Sequence, residues 1–469
     1  MKNKLIKIQI TILSALLLFS CGGGGGGGAE PTNNLTSNAS QTPEPFSWEL
    51  ATPEDLGVNS MKLQEAIDYA MSDGSLTQSI VIVKGGKIIG QGHRGMTTNE
   101  ANALSAGLTS TSAEEILNWY ENRDQNSLST SWSTAKSFTS VLVGIAIDQG
   151  LISSVNESAS NYLTEWQGDN RSSITIKNLL DMRSTLVPTC GDSSSTTLYP
   201  CTSWAGNGGV MVYSDDQLSA CLEAEVAQGS TQPWYYWDWQ PGYFYYSNCD
   251  TQLLGEIIFR ATGLDPYTYA DTHLFSKLNM SALWWRDNSQ SGQANGNYLT
   301  YCCLDATTSD FAKFGLMILN GGELAEQRIV SSNYIDMIKN ISSTSNVESW
   351  LGDYSYGLKF WTIRPASVVD SSGGQVLFPS ANTLYSTIGF DGQYIVVDFE
   401  NDMVIARNSF YQPIENNNSQ RKMKLLINNI DQSSWVATVP GGLGAQYSPP
   451  SGNSFSIQQL LLKVNESLN

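Results

Sequence analysis

The sequence predicts an α/β fold: an antiparallel sheet flanked by helices, with strands drawn from both chain ends and a mainly helical lobe inserted between them. Three observations carry this. Residues 79–83 and 87–92 form an apolar hairpin pattern around Gly85-Gly86. Three further strand patterns, 383–387, 393–399 and 403–408, lie near the other end, the last two joined by the polar turn Glu400-Asn401-Asp402. Between these strand-rich ends, residues 110–320 read mainly as helix and loop, with helices expected at 133–149, 175–183, 215–225, 250–262 and 308–320.

Taken in order, residues 1–20 read as a secretion signal: Lys2, Lys4 and Lys7 precede an apolar core over 10–19. The run Leu18-Phe19-Ser20-Cys21 resembles a bacterial lipobox and would make Cys21 the lipid-bearing first residue of the mature chain. The alternative is an uncleaved anchor, for which the apolar run is short. Seven glycines, Gly22 to Gly28, and a stretch rich in Pro, Asn, Ser and Thr extend a flexible tether over 21–47. Glycine after Cys21 resembles lipoproteins sorted to an outer membrane, so the expected location is the bacterial cell envelope, anchored to the membrane through lipid on Cys21.

A helix is expected over 60–71, with Leu63, Ala66, Ile67 and Ala70 on one face, and another over 419–430. The α/β lobe is then 48–109 together with 321–469, and the helical lobe is 110–320. Removal of the three signal lysines takes the formal charge of −19 to −22. So acidic a chain is unsuited to nucleic acid and to anionic lipid surfaces.

Six cysteines follow Cys21, an even number that favours disulfides in an exported protein. Cys190 and Cys201 bracket a short Ser/Thr-rich loop and form one expected pair; Cys302 and Cys303 would reach Cys221 and Cys249. The spacing does not fix this connectivity. No C-x-x-C occurs and the two histidines, His93 and His273, are far apart, so neither a metal nor an organic cofactor is expected.

The chemistry centres on Ser133-Thr134-Ala135-Lys136, which opens the apolar run through Ile147. Serine and lysine three residues apart share one helical face. Burial would disfavour the ammonium and make Lys136 a usable base for Ser133. A buried helix whose lysine merely reaches solvent is the bland alternative. A second copy, Ser419-Gln420-Arg421-Lys422, follows the polar run Asn416-Asn417-Asn418 and reads as a solvated turn. Scarce histidine and the lack of G-x-S-x-G disfavour a Ser-His-Asp triad. Tyr246-Ser247-Asn248 supplies a tyrosine whose phenolate a neighbouring cationic lysine can favour and which can relay a proton; Tyr120-Glu121-Asn122 matches the same pattern upstream and is set aside. The aromatic segment from Trp234 to Tyr245 is either a substrate wall or packing between lobes, and packing is the simpler reading.

These motifs, with Ile174 to Met182, Pro241-Gly242 and Gly389-Phe390-Asp391-Gly392-Gln393, resemble the class C β-lactamase-like serine hydrolases, most closely the aminohexanoate-dimer (nylon-oligomer) hydrolase branch. The resemblance spans about residues 48–430 in motif order. It implies Ser133 as acyl-accepting nucleophile, Lys136 as its activator, Tyr246 as general base and acid, and Asn248 as a substrate-side donor. Thr387-Ile388-Gly389 resembles the family's K-T-G or H-T-G strand, with Thr387 where a cation or imidazole is usual. Gly389 then borders the substrate, and the N–H groups of Ser133 and Phe390 form the oxyanion hole, with a register shift to Gln393 as the alternative. The implied reaction is two-step hydrolysis of a small amide or ester. A penicillin-binding DD-peptidase or β-lactamase, or a non-catalytic envelope binding protein on the same fold, are the competing readings.

Overall fold

The computed structural model describes residues 44–106, 112–186, 189–191, 198–200, 211, 214–226, 242, 244, 246–289, 296–341, 354–363, 367–369, 375–377, 384–410, 423–424, 426–427, 430–431 and 454–468. Pro43–Asn469 form one compact unit. Its centre is a seven-stranded antiparallel sheet, numbered here in chain order. The strands are β1 (Thr77–Lys84), β2 (Lys87–His93), β3 (Tyr354–Gly357), β4 (Phe360–Ile363), β5 (Leu384–Gly389), β6 (Gln393–Asp398) and β7 (Met403–Ser409). Their spatial order is β3-β4-β5-β6-β7-β1-β2. The N-terminal strand β1 thus pairs with the late strand β7, Val81 opposite Ala406, and both chain ends build one sheet.

Side-chain alternation sorts the sheet into two faces. Ile80, Ile82, Val396 and Ile405 pack with Leu63 and Ile67 of α1 (Ser60–Ala70) and with Leu460 and Leu461 of the C-terminal helix Ile457–Glu466. Val81, Val83, Ile395, Val397 and Val404 face the larger core, which holds α2 (Ala135–Asp148). Every residue of α2 from Ala135 to Ala146 is buried, and Phe138 stacks on Phe314 with ring centres 3.8 Å apart. A fully buried side chain of that kind contributes about 1.5–3 kcal/mol, so α2 is held by packing on all sides. The helices α3 (Ile176–Leu180), α4 (Gln217–Leu222), α5 (Asn248–Thr262) and α6 (Thr308–Leu319) complete the layer, each beginning at a side-chain cap: Thr175, Asp216, Ser247 and Thr307.

One expectation changes. The helix over 419–430 is not formed: Met423–Lys424 is a strand pairing with Arg286–Asp287, and Leu426–Ile427 pairs with Ile430–Asp431. Cross-strand partners there override the local helical pattern. The edge hairpin β3–β4 and the helix Ile457–Glu466 were not anticipated. Residues 1–43, with Cys21, and the second S-x-x-K copy at 419–422 lie outside the described residues.

Candidate active site

Ser133 sits in a single 3₁₀ turn, Trp132–Thr134, that leads into α2. The preceding strand is pinned at Ser131, whose N–H donates to the Leu304 carbonyl at 2.8 Å while its Oγ accepts from the Leu304 N–H at 2.9 Å. Between these anchors and α2, Trp132 adopts a left-handed φ of 46°. For a bulky residue that conformation costs about 1–2 kcal/mol and persists only where the surroundings impose it. Its result is that Ser133 remains partly exposed although its neighbours are buried.

One turn along, the Lys136 side chain is 1 % exposed. Its Nζ lies 2.9 Å from Ser133 Oγ and donates to the Tyr301 carbonyl at 2.7 Å. Burial, and secondarily the charge of Lys359, hold the Lys136 amine well below its ordinary value, so the free base is accessible. The Tyr246 phenol lies close to the Ser133 hydroxyl, and its ring centre lies 5.0 Å from Lys136 Nζ. Burial of the phenol pushes Tyr246 up, and the Ser133 contact offsets this only in part. This reverses the expectation of a phenolate favoured by a cationic lysine: burial favours the neutral phenol at Tyr246 and the neutral amine at Lys136. Trp361 of β4 stacks on Tyr246 at 5.7 Å, and the fully buried Phe244 packs against Tyr356 and Trp361. Phe244 is therefore packing, while residues 234–241, Tyr243 and Tyr245 of the aromatic segment lie outside the described residues.

Strand β5 closes the other side. A Cβ at Gly389 would lie 2.3 Å from the Ser131 carbonyl oxygen, so only glycine lets the strand approach the serine turn. Thr387 is buried and donates to Thr134 Oγ1 at 3.2 Å, placing no cation on this strand. Phe390 follows, 48 % exposed, its ring edge-on to Trp132 at 6.2 Å. The Gln393 amide is consumed within the fold: Nε2 donates to Ser409 Oγ at 3.0 Å and Oε1 accepts from Asn408 Nδ2 at 2.9 Å. The turn between is braced by Arg407, buried among Thr77 Oγ1, the Ser75 carbonyl and the Gly392 carbonyl, the last at 2.7 Å. Asn248, partly exposed, begins α5 two residues after Tyr246.

A sequence model of the beta-lactamase family matches residues 78–416. The chain belongs to the beta-lactamase family. In keeping with that family, a 6-aminohexanoate-dimer hydrolase of Paenarthrobacter ureafaciens is 27% identical over 173 residues, which span 35% of this chain and 39% of that relative. The match thus covers well under two thirds of the relative's length. Two solved structures share the fold, each superposing with a TM-score of 0.50 over 78% of this chain. One is provisionally described as a 6-aminohexanoate-dimer hydrolase of Bacillus anthracis, 19% identical over 82% of its chain. The other is provisionally described as a beta-lactamase of Bacteroides dorei DSM 17855, 16% identical over 94% of its chain. The family and its fold are those of hydrolases.

The cysteines depart from expectation. Cys221 in α4 bonds Cys249 in the first turn of α5, with Cα atoms 5.1 Å apart where the two helices pack. Cys302 and Cys303 bond each other, so neither is left to reach Cys221 or Cys249. This adjacent pair lies between Tyr301, whose carbonyl holds Lys136, and Leu304, which pins Ser131. Cys190 lies in the short strand Thr189–Gly191, while Cys201 falls outside the described residues. His93 bonds Ser79 and His273 bonds Gln149, both away from Ser133. Among the described residues no group of three His, Cys, Asp or Glu could hold a metal ion.

Proposed function

We propose that this chain is a serine hydrolase that cleaves small amides or esters through an acyl-enzyme on Ser133. The carrying observation is the buried Lys136 amine on the Ser133 hydroxyl, with the Tyr246 ring packed beside that amine. Ser133 Oγ attacks the carbonyl carbon as its proton passes to Lys136. The oxyanion is received by the N–H groups of Ser133 and Phe390. As the carbonyl–leaving-group bond breaks, Tyr246 protonates the departing nitrogen or oxygen and regains a proton from the Lys136 ammonium. Water then repeats the sequence on the acyl-enzyme. Asn248 and Gly389 border the substrate, and Thr387 in place of a cation favours linear amides or esters over β-lactams.

Ser133→Ala is expected to abolish both p-nitrophenyl acetate hydrolysis and labelling by a fluorophosphonate probe; undiminished hydrolysis by that variant refutes the assignment. Labelling by a fluorescent penicillin favours the peptidase or β-lactamase reading instead. We also propose attachment to the bacterial envelope through lipid on Cys21, for which incorporation of labelled palmitate, lost in Cys21→Ala, is the test.

A further inference from the structure

A second lysine is buried beside Lys136, and the backbone that delivers it is strained. Strands β3 and β4 are joined by the two-residue turn Leu358-Lys359, with Gly357 opposite Phe360. Both turn residues have left-handed φ, 49° at Leu358 and 65° at Lys359. A two-residue hairpin of that hand ordinarily carries Asn-Gly or Asp-Gly. Leucine and lysine there run against local propensity, the pattern expected where a side chain is required for its own sake.

The turn is held by three hydrogen bonds, one to α2 and two to the end of α3. The Lys359 carbonyl accepts from Ser137 Oγ at 2.6 Å, one residue past Lys136. The Lys359 N–H donates to the Leu180 carbonyl at 3.0 Å, and the Leu358 N–H to Asp181 Oδ1 at 2.9 Å. So fixed, the Lys359 side chain is 1 % exposed and its Nζ meets the Met182 sulfur at 3.2 Å, a weak acceptor for an ammonium. The carboxylates of Asp250, in the first turn of α5, and Asp181, at the end of α3, favour its charge electrostatically. Asp250 Oδ1 accepts from Ser184 Oγ at 2.6 Å, while its Oδ2 is buried without a hydrogen bond. The groups around Lys136 itself are Ser133, Tyr246, Tyr301 and Lys359. Lys359 is the only other cation among them.

We infer that Lys359 is a positioning residue for the Ser133–Lys136 pair: a second buried amine that keeps its proton, balanced by Asp250, and so leaves Lys136 as the free base. The inference rests on the functional reading above. Burial of two amines side by side admits one charge more readily than two. Asp250 and Asp181 lie on the Lys359 side, so the proton resides on Lys359 and the lone pair faces Ser133. The desolvation that depresses both amines is opposed only at Lys359 by neighbouring carboxylates.

The test is the pH dependence of kcat/KM for p-nitrophenyl acetate and of fluorophosphonate labelling, in the parent protein, Lys359→Met, Asp250→Asn and the double variant. The parent's acid limb reports deprotonation of Lys136 in the free enzyme. Without the Lys359 charge, protonated Lys136 is less disfavoured, so the limb moves to higher pH, by about one unit or more. Asp250→Asn moves it in the same direction, because Lys359 then no longer retains its proton. The double variant gives the Lys359→Met limb with no further shift, and rates above the limb stay near the parent's. If Lys359→Met fails to fold for want of a partner to Asp250, the double variant decides, since it leaves no buried charge of the pair. A limb that stays in place, or a rate loss equal at every pH, overturns the role of Lys359 alone. Absence of fluorophosphonate labelling in the parent at every pH overturns the reading of Ser133 itself.

Discussion

Gly389 sets how closely β5 can approach Ser133, because an added Cβ would lie 2.3 Å from the Ser131 carbonyl oxygen. Gly389→Ala must therefore displace the strand that presents the Phe390 N–H, while leaving the cores on both faces of the sheet untouched. Loss of one oxyanion donor costs roughly 10²–10³ in rate. A kcat drop of that size with a melting temperature close to the parent's is expected, and full kcat in Gly389→Ala would remove β5 from the site. The closeness of Lys136 to Ser133 was legible in the sequence because one helical turn joins them, whereas Tyr246 was singled out by its Y-x-N pattern. Lys359 was not, since its tie to the catalytic helix crosses 222 positions. Nor was Trp132, whose backbone conformation is imposed by Leu304 through Ser131. The direction in which Tyr246 titrates was misread for the same reason: sequence shows its neighbours but not how dry its hydroxyl is.

The two disulfides differ in what they constrain. Cys221–Cys249 joins α4 to α5 across 28 positions, and closing such a loop in the unfolded chain is worth about 3–4 kcal/mol. Replacing both cysteines by serine is expected to lower unfolding stability by about 2–4 kcal/mol with activity retained in the folded fraction, measured by urea titration. Cys302–Cys303 spans adjacent residues and restricts almost nothing in the unfolded chain. Its serine variants should instead lose rate, because the Tyr301 carbonyl beside it fixes Lys136; unchanged kcat in Cys302→Ser/Cys303→Ser would contradict this. Elements with clean alternation or helical spacing, such as β1, β7 and α2, could be read directly. The β3–β4 hairpin escaped because Leu358-Lys359 carries no turn signal. The stretch 419–430 reads as a helix, but Met423–Lys424 pairs far along the chain with Arg286–Asp287. Cysteine pairing, likewise, depends on which helices meet.

At the scale of the molecule, the sheet is completed by its termini. β1 is flanked by β7 and β2, and the helix Ile457–Glu466 covers α1 with Leu460, Leu461 and Val464, all buried. Uncovering three such side chains costs roughly 5 kcal/mol, a large share of the stability of an ordinary domain. A chain ending at Phe455 should therefore unfold at markedly lower urea and lose hydrolysis in parallel; a truncated protein with the parent's midpoint would show that this helix is dispensable. The pairing of β1 with β7 also bears on when the enzyme comes into being. Synthesis proceeds at roughly 5–20 residues per second, and domains fold as units, so β1 waits on the order of tens of seconds for its partner to be made. Throughout that interval β5, which must press against the serine turn, has no completed sheet to hold it. The strand β5 thus meets the serine turn only once nearly all of the chain has been made, and the site proposed here is assembled by closure of the fold.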